Sequence, residues 1–437
     1  MPTLYKDMEK EDKHIENENS HDQDTTQNHS FFIYSILTFM GAGLLTPWNV
    51  VINSFPFFLS LYNDQTFPFY ISAFYSYSGV PVLILMVWFG NKISMRIRIV
   101  GSFVIQAGIM IAMPLLSQYS SKIPLALMVL NGLCTCALQS SLMGLISSFP
   151  PVYSQGFMFG QGIAGALSSY AQIIALATTA SGNSDVFTSA VVYFSAAALV
   201  MAGGAIAYLW LERLPAAQVY LRSAPSLLKI TRNDESESIE LLSEDGMPTD
   251  TSDISSPEGL TLSKLLYLVW PALAAIFLVF CMTFCVFPGL ENAIEYKNQL
   301  GPSASSILND KSNGRWGVVL LAVFNTFDTV GRFLPGRIVC LPRNSLLTVT
   351  LLRFGFVPLF YICAKGISSS IFGDVFALVL VAFFALSNGY VASLVFMLSP
   401  SRLEGRSSGD KERVGFLLSL MLNLGITLGS QIALAFT

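Results

Sequence analysis

The stretch GLLTPWNVVINSF, residues 43–55, sets a proline, a tryptophan and an asparagine side by side in an apolar run long enough to cross a bilayer. In a water-soluble helix, proline breaks the hydrogen-bond ladder and asparagine competes for backbone groups. Within a membrane, such a break is tolerated where neighbouring helices or a water-filled cavity satisfy the freed backbone. We therefore expect the helix to break near Pro47 beside a cavity, and Asn49 to tie the break to a neighbouring helix.

The composition around this stretch is that of a polytopic membrane protein. Of the 437 residues, 53% are hydrophobic and only 12% are charged, whereas soluble domains carry about 25% charged residues. The net charge of −4 and the lack of a basic tail give no indication of nucleic-acid binding.

Apolar runs of about 20 residues, the length that spans a bilayer, predict an all-α protein with eleven transmembrane helices. The predicted helices lie near residues 31–60, 69–90, 97–117, 124–149, 156–180, 186–211, 263–290, 314–338, 344–364, 371–398 and 413–436. They form a six-helix half at 31–211 and a five-helix half at 263–437, joined by a polar linker at 212–262. Two helical halves that rock about a site at mid-membrane are typical of transporters.

The distribution of Lys and Arg predicts the orientation in the membrane. Seventeen of these residues fall in the N-terminal segment 1–30 and in loops on the side of the linker, and five fall on the opposite side. Because cytoplasmic loops carry the excess of positive charge, we expect a cytoplasmic disordered tail at 1–30, a cytoplasmic linker, and a C-terminus that faces outward or into a lumen.

The eighth predicted helix carries the polar residues that most strongly suggest a function. Asn325, Asp328 and Arg332 share one helical face, and an Asp followed by an Arg at i+4 can form an intrahelical pair. Ionisable side chains at membrane depth are costly and usually functional. The alternatives are a structural ion pair that fixes helix packing and a polar clamp on a hydroxyl-rich or amide-bearing solute.

Three other polar residues lie within predicted helices. Gln139 offers donors and acceptors suited to the edge of a heterocycle, or to a helix–helix hydrogen bond. Arg353 is expected to snorkel or to pair near the cytoplasmic end of its helix, and Asp374 is expected to reach solvent at the outer end.

Glycines at 156, 160, 162, 165, 425 and 429 indicate close helix packing and sliding surfaces between the halves.

The sequence offers no enzymatic or metal chemistry. All three histidines lie in the segment 1–30, and the six cysteines lack metal-ligand spacing. No nucleophile has an evident base, and no phosphate-binding loop is present. We therefore expect neither an enzyme nor a cofactor.

Five motifs, in order, resemble those of the equilibrative nucleoside transporter family. GAGLLTPWN (41–49) is similar to the first-helix signature, with Thr46 replacing the usual Leu, and residues 137–165 are similar to the fourth and fifth helices. FNTFDTVGR (324–332) matches the pattern Phe-Asn-x-x-Asp-x-x-Gly-Arg, while RFGFVPLF (353–360) and SNGYVASL (387–394) resemble the ninth and tenth helices.

The resemblance implies a fold like that of the major facilitator superfamily with one helix missing, and facilitated, alternating-access transport of nucleosides such as adenosine and uridine, and in some members of nucleobases. It implies that Trp48 lines the central cavity near the base and that Gln139 hydrogen-bonds the base. It also implies that Asp328 and Arg332 bind the ribose hydroxyls. Asn325 would lie nearby. The remaining implied lining residues form an apolar wall: Ile52 and Val82.

Several alternatives stay open at this point. A proton-coupled symporter would most simply use Asp328, although no membrane histidine is available, and we favour uncoupled facilitation. A carrier of the same shape could take another polar solute, such as a sugar or an organic cation, and a receptor could keep the fold without transport. The segment ESIELL, Glu237 to Leu242, resembles an acidic dileucine signal for sorting adaptors, so the plasma membrane and a vacuolar or lysosomal membrane both remain possible.

Overall fold

The computed structural model describes residues 30–64, 67–179, 186–221, 260–287, 291, 293–297, 299–300, 315–339, 342, 345–367, 372–403 and 407–434. Within these residues the chain forms eleven long helices: α1 Ser30–Asn53, α2 Phe67–Phe89, α3 Met95–Leu116, α4 Lys122–Ile146, α5 Pro151–Thr179, α6 Val186–Arg213, α7 Leu262–Val286, α8 Arg315–Phe333, α9 Leu346–Ala364, α10 Asp374–Leu398 and α11 Ser408–Leu434. A 3₁₀ turn, Arg353–Gly355, interrupts α9. The predicted tail before residue 30 and linker residues 222–259 lie outside the described residues.

Ten of these eleven described helices are long and apolar enough to cross a membrane. The other is α5, which has 29 residues but carries Ser, Gln and Gly along its length. It packs against α8 and α10 of the other half. Its lower hydropathy therefore fits a helix whose faces meet other helices.

The first helix differs from its prediction in where it breaks. The prediction of one helix over 31–60 with a break at Pro47 is wrong, because α1 continues through Pro47 and ends at Asn53. Ser54 forms the break with φ −95° and ψ 10°, and a short helix then runs over Phe55–Tyr62. That short helix has a proline in its first turn, where the missing N–H has no helical acceptor to lose.

Buried apolar side chains are arranged differently at the two ends of the bundle. We call the end at which α6 ends and α7 begins the linker end, and the opposite end the far end. One cluster at the linker end joins both halves, with Leu37 of α1, Leu265 of α7 and Val414 of α11 among its members. At the far end each half has its own cluster, one around Phe58 and one around Phe360. Among the residues that the structure describes, the halves thus share a core only at the linker end.

Helix packing across the halves uses α5 against α8 and α10, and α11 against α2 and α4. The predicted packing role of the six glycines is confirmed, but only two of them lie between halves. A Cβ on Gly162 or Gly165 would meet Thr329 or Asn325 of α8. The other four glycines pack within their own half, at positions 156 and 160 against α1 and at positions 425 and 429 against α7.

Candidate functional site

The predicted intrahelical pair is present on α8. The Nε of Arg332 donates to Oδ2 of Asp328 over 2.6 Å, and both side chains are buried. Nη1 of Arg332 also donates to Oε1 of Gln161 on α5, over 3.2 Å. The pair therefore lies at the contact between the two halves, where a buried charge is compensated by its partner and by additional hydrogen bonds.

A larger set of polar groups surrounds this pair in the second half. Nδ2 of Asn388 donates to Oδ1 of Asp328 over 2.7 Å. Oδ1 of Asn388 lies 2.8 Å from Oγ1 of Thr283 and 3.4 Å from Nη2 of Arg353. Connected side chains of α7 to α10 make up this set, which we call the α8 polar cluster: Thr283, Asp328, Arg332, Arg353, Ser387 and Asn388.

Two ionisable residues, one on α9 and one at the start of α10, are more deeply buried than the sequence indicated. Arg353 does not snorkel, because its side chain is buried and donates to Oγ of Ser387 and Oγ1 of Thr283 over 3.0 and 3.2 Å. Asp374 does not reach solvent, because it is 1% exposed and accepts backbone N–H groups of Lys297 and Gln299, each over 2.8 Å. Sequence alone could not place these partners, which come from distant helices and loops.

The first half supplies a separate set of aromatic and amide groups. The rings of Trp48 on α1 and Tyr75 on α2 stack with centroids 4.4 Å apart and an interplanar angle of 14°. Tyr75 also interacts with the side chain of Thr135 on α4, which accepts a hydrogen bond from Gln106 over 2.8 Å. Gln139 lies one turn further along α4. These residues form a flat aromatic surface beside several amide groups.

Gln139 lies where α4 of the first half meets α11 of the second. Its Oε1 accepts a hydrogen bond from Nδ2 of Asn423 over 3.5 Å, and its side chain is 7% exposed. The side-chain oxygen of Gln139 therefore makes a helix–helix hydrogen bond, which was one of the two alternatives for this residue from the sequence.

The two predicted wall residues and the asparagines of α1 differ in their surroundings. Ile52 and Val82 are half-buried, and Val82 shares the α2 face of Tyr75, which packs on α4. Nδ2 of Asn49 is buried and has no hydrogen-bond partner in the described part of the chain, so the predicted tie does not form there. Nδ2 of Asn53 instead donates to the backbone oxygen of Ser168 on α5 over 3.1 Å.

Polar contacts join α5 to α8. One involves Asn325, which was predicted from the sequence, and another involves Gln161, which was not. Asn325 uses its Nδ2 to donate to Oγ of Ser169 over 2.6 Å, so its amide joins α8 to α5. Gln161 is 6% exposed, and its Oε1 accepts a hydrogen bond from Arg332. Its Nε2 is buried and has no hydrogen-bond partner among the described residues. The signal in the sequence was the polar residue between two glycines at 160–162.

A second buried ion pair joins the halves at the linker end. Nη2 of Arg98 on α3 donates to Oε1 of Glu412 on α11 over 2.8 Å, and the side chains are 3% and 1% exposed. Nη1 of Arg98 reaches Oγ of Ser141 over 3.3 Å. In the sequence, Arg98 is one of the seventeen positive charges on the linker side. Nothing near it in the chain indicates a pairing with a residue 314 positions away.

These groups can recognise a solute that is both flat and hydroxylated. Trp48 and Tyr75 offer an amphipathic aromatic surface, and Gln139 offers amide donors beside it. Asp328 can accept hydroxyl groups while Arg332 balances its charge and adds donors. The aromatic set belongs to the first half and the charged set to the second, so a ligand that used both would touch both moving parts.

Known proteins with similar sequences are transporters. A family model described as a nucleoside transporter matches residues 125–437. The chain is 25% identical to equilibrative nucleoside transporter 2 of Homo sapiens over an alignment of 462 residues, which covers 93% of this chain and 96% of that protein. It is 25% identical to equilibrative nucleotide transporter 8 of Arabidopsis thaliana, with 91% and 93% of the two chains covered.

Solved structures with a similar fold come from the major facilitator superfamily. The proton:xylose symporter XylE, bound to 6-bromo-6-deoxy-D-glucose, has a TM-score of 0.56 at 13% identity, covering 92% of this chain and 88% of that one. The human organic anion transporter MFSD10 has a TM-score of 0.54 at 14% identity, with 91% and 92% covered. At such identities the likeness concerns the fold alone, and it confirms the predicted architecture.

Proposed function

The chain belongs to the nucleoside transporter family, and we therefore propose that it carries nucleosides across a membrane by facilitated diffusion through alternating access. The observation that carries this function is the buried Asp328–Arg332 pair, held between the halves inside a multi-pass helical bundle. A carboxylate paired with a guanidinium suits a neutral, hydroxylated cargo, because the pair donates and accepts hydrogen bonds without demanding a charged ligand.

In the proposed binding mode, the base lies on Trp48 and forms hydrogen bonds with Gln139. Asp328 and Arg332 bind the ribose hydroxyls. Asn325 supports this site from the α5–α8 contact, and Ile52 and Val82 form its apolar wall. A nucleoside in this position would contact both halves. Its binding and release would therefore accompany their relative movement.

The arrangement of the cores supports a cycle in which the ends open in turn. A core shared by both halves occludes the linker end, and separate cores at the far end allow the halves to part there without breaking either core. We propose that the linker end is cytoplasmic, as the excess of Lys and Arg on that side indicates. The sorting role of Glu237 to Leu242 stays a proposal, and these residues lie outside the described residues.

We propose that transport is uncoupled from protons. The three histidines of the chain, at positions 14, 21 and 29, precede the described residues, so none of the described membrane helices carries one. Asp328 already accepts hydrogen bonds from Arg332 and Asn388. Both oxygens of this carboxylate therefore already serve as hydrogen-bond acceptors within the bundle.

Uptake into liposomes that contain the purified protein tests this function. Labelled adenosine and uridine are offered with and without an inward proton gradient, with unlabelled nucleobases, sugars and organic cations as competitors, and an Asp328→Ala variant serves as the control. We expect saturable uptake that the gradient does not change and that Asp328→Ala reduces strongly. Accumulation only with the gradient would establish a proton symporter instead. Folded protein that takes up neither nucleoside would refute the assigned cargo.

A further inference from the structure

We propose that Asn388 and Arg353 are positioning residues that set the Asp328 carboxylate to recognise two neighbouring hydroxyl groups, and so make the carrier select ribose over deoxygenated sugars. This inference rests on the proposed function, because it concerns the sugar end of the same site. Neither residue needs to touch the cargo. Both act through the carboxylate that does.

The first step is the orientation of the Asn388 amide. Its Oδ1 lies 3.4 Å from Nη2 of Arg353, which is a donor only, so the oxygen must face the arginine. Its Nδ2 then faces Asp328 and donates to Oδ1 of that carboxylate over 2.7 Å. Because Arg353 lies on one side as a donor and the Asp328 carboxylate on the other as an acceptor, the Asn388 amide has one favourable orientation.

The second step is the number of acceptor positions left on Asp328. An ionised carboxylate has about four lone-pair positions, two on each oxygen. Asn388 occupies one position on Oδ1, and Nε of Arg332 occupies one on Oδ2 over 2.6 Å. Among the described residues no other donor is bonded to these oxygens, so one position stays available on each. Two adjacent acceptors match the two hydroxyl donors of a vicinal diol such as the 2′,3′-diol of ribose.

The third step is the reason for a buried arginine behind Asn388. Arg353 is 3% exposed, and the hydrogen bonds of its Nε and Nη2 go to uncharged groups of Ser387, Thr283, Phe384 and Asn388. The charged group with which it interacts is Asp328, on the far side of the Asn388 amide. A buried cation is costly unless it is compensated. Nη2 of Arg353 lies 3.4 Å from the amide oxygen of Asn388, so this buried cation holds the amide from the side opposite Asp328.

The test compares two nucleosides that differ only in the diol. Uptake of uridine and of 2′,3′-dideoxyuridine is measured in liposomes for the wild type, Asn388→Leu, Arg353→Gln and Arg353→Lys. Thr350→Val is the matched control, because Thr350 is equally buried on α9, one turn from Arg353, and bonds only its own helix at Leu346. Binding of both nucleosides is also measured as the rise in thermal unfolding temperature in detergent, which reports on variants with slow turnover.

We expect Asn388→Leu and Arg353→Gln to raise the KM for uridine about 10-fold, the effect of a lost charge-assisted hydrogen bond, with little change in the KM for dideoxyuridine. Arg353→Lys should recover part of the preference, and Thr350→Val should keep all of it. An equal loss for both nucleosides, in KM or in maximal rate, would show a merely structural role and overturn the inference. A wild type that carries neither nucleoside would instead refute the proposed function itself.

Discussion

At the scale of single residues, the members of the α8 polar cluster differ in how far their contacts depend on the rest of the chain. Asp328 and Arg332 are four residues apart, so the helical repeat alone brings them together, and their pairing was predictable from the sequence. Arg353 meets Asn388 and Thr283 only through the packing of three helices. The sequence placed Arg353 in a helix but held no information on which neighbours would surround it.

The stacked pair of Trp48 and Tyr75 leads to a prediction about the base. Trp48→Ala should raise the KM for uridine by about 2- to 12-fold, because an aromatic partner is worth roughly 0.5–1.5 kcal/mol beyond its buried area. Trp48→Phe should stay within about 2-fold of the wild type, since a flat ring remains. Uptake is normalised to the amount of protein in the membrane. Unchanged kinetics in Trp48→Ala would place the base elsewhere.

At the scale of helices, α1 and α5 approach so closely that only glycine fits between them. A Cβ on Gly160 would lie 1.8 Å from the backbone oxygen of Thr38. The sequence predicted this kind of packing, but it could not tell which glycine faces which helix. It also placed the break of α1 at Pro47, although the ladder tolerates that proline and breaks at Ser54. Proline marks where a break is possible, and tertiary contacts decide where it occurs.

Gly160→Ala should therefore destabilise the protein by about 1–3 kcal/mol, the usual cost of overpacking. Gly108→Ala on α3 is the control, because a Cβ there meets nothing within 4 Å, and alanine is the better helix former. Unfolding of the purified protein in detergent compares the two variants. Equal stability of both would mean that α1 and α5 are further apart than described.

The segment between α7 and α8 contains a carboxyl group that should make stability depend on pH. Burial raises the pKa of Glu291 well above its ordinary value, and its Oε1 has no hydrogen-bond partner among the described residues. The folded state thus binds this proton more tightly than the unfolded chain does. The stabilisation is complete below the ordinary pKa of a glutamate and is lost as the pH rises through the folded-state pKa.

The thermal unfolding temperature of the wild type should consequently fall between mildly acidic and mildly alkaline buffer. Glu291→Gln should reduce this fall, because it keeps the shape of the protonated side chain without its titration. Both proteins are measured in the same detergent across a pH series. An identical pH dependence in the two proteins would assign the effect to another group.

At the scale of the whole molecule, the two halves are joined most firmly at the linker end. The shared core and the buried Arg98–Glu412 pair both lie there. The division into six and five helices was predictable from hydropathy, because membrane spans are long and regular. The closure of the linker end was not predictable from the sequence, because it depends on contacts between residues that are hundreds of positions apart.

Neutralising one member of this pair should destabilise the protein by about 3–5 kcal/mol, because the other charge stays buried without a partner. Arg98→Gln combined with Glu412→Gln should cost less than the sum of the single changes. Arg96→Gln is the control: Arg96 is 59% exposed in its pair with Glu212, and an exposed pair contributes less than about 1 kcal/mol. Additive effects of Arg98 and Glu412 would show that they do not interact.

The α8 polar cluster holds two guanidinium groups and one carboxylate, so it retains a positive charge inside the bilayer. The membrane potential acts on such a charge with about 2.3 kcal/mol per 100 mV when it crosses the whole field. If the second half tilts during the cycle, part of that work accompanies the return of the empty carrier. A carrier of uncharged cargo then acquires a voltage-sensitive step, and electrical recordings can follow its turnover even though no net charge travels with the cargo.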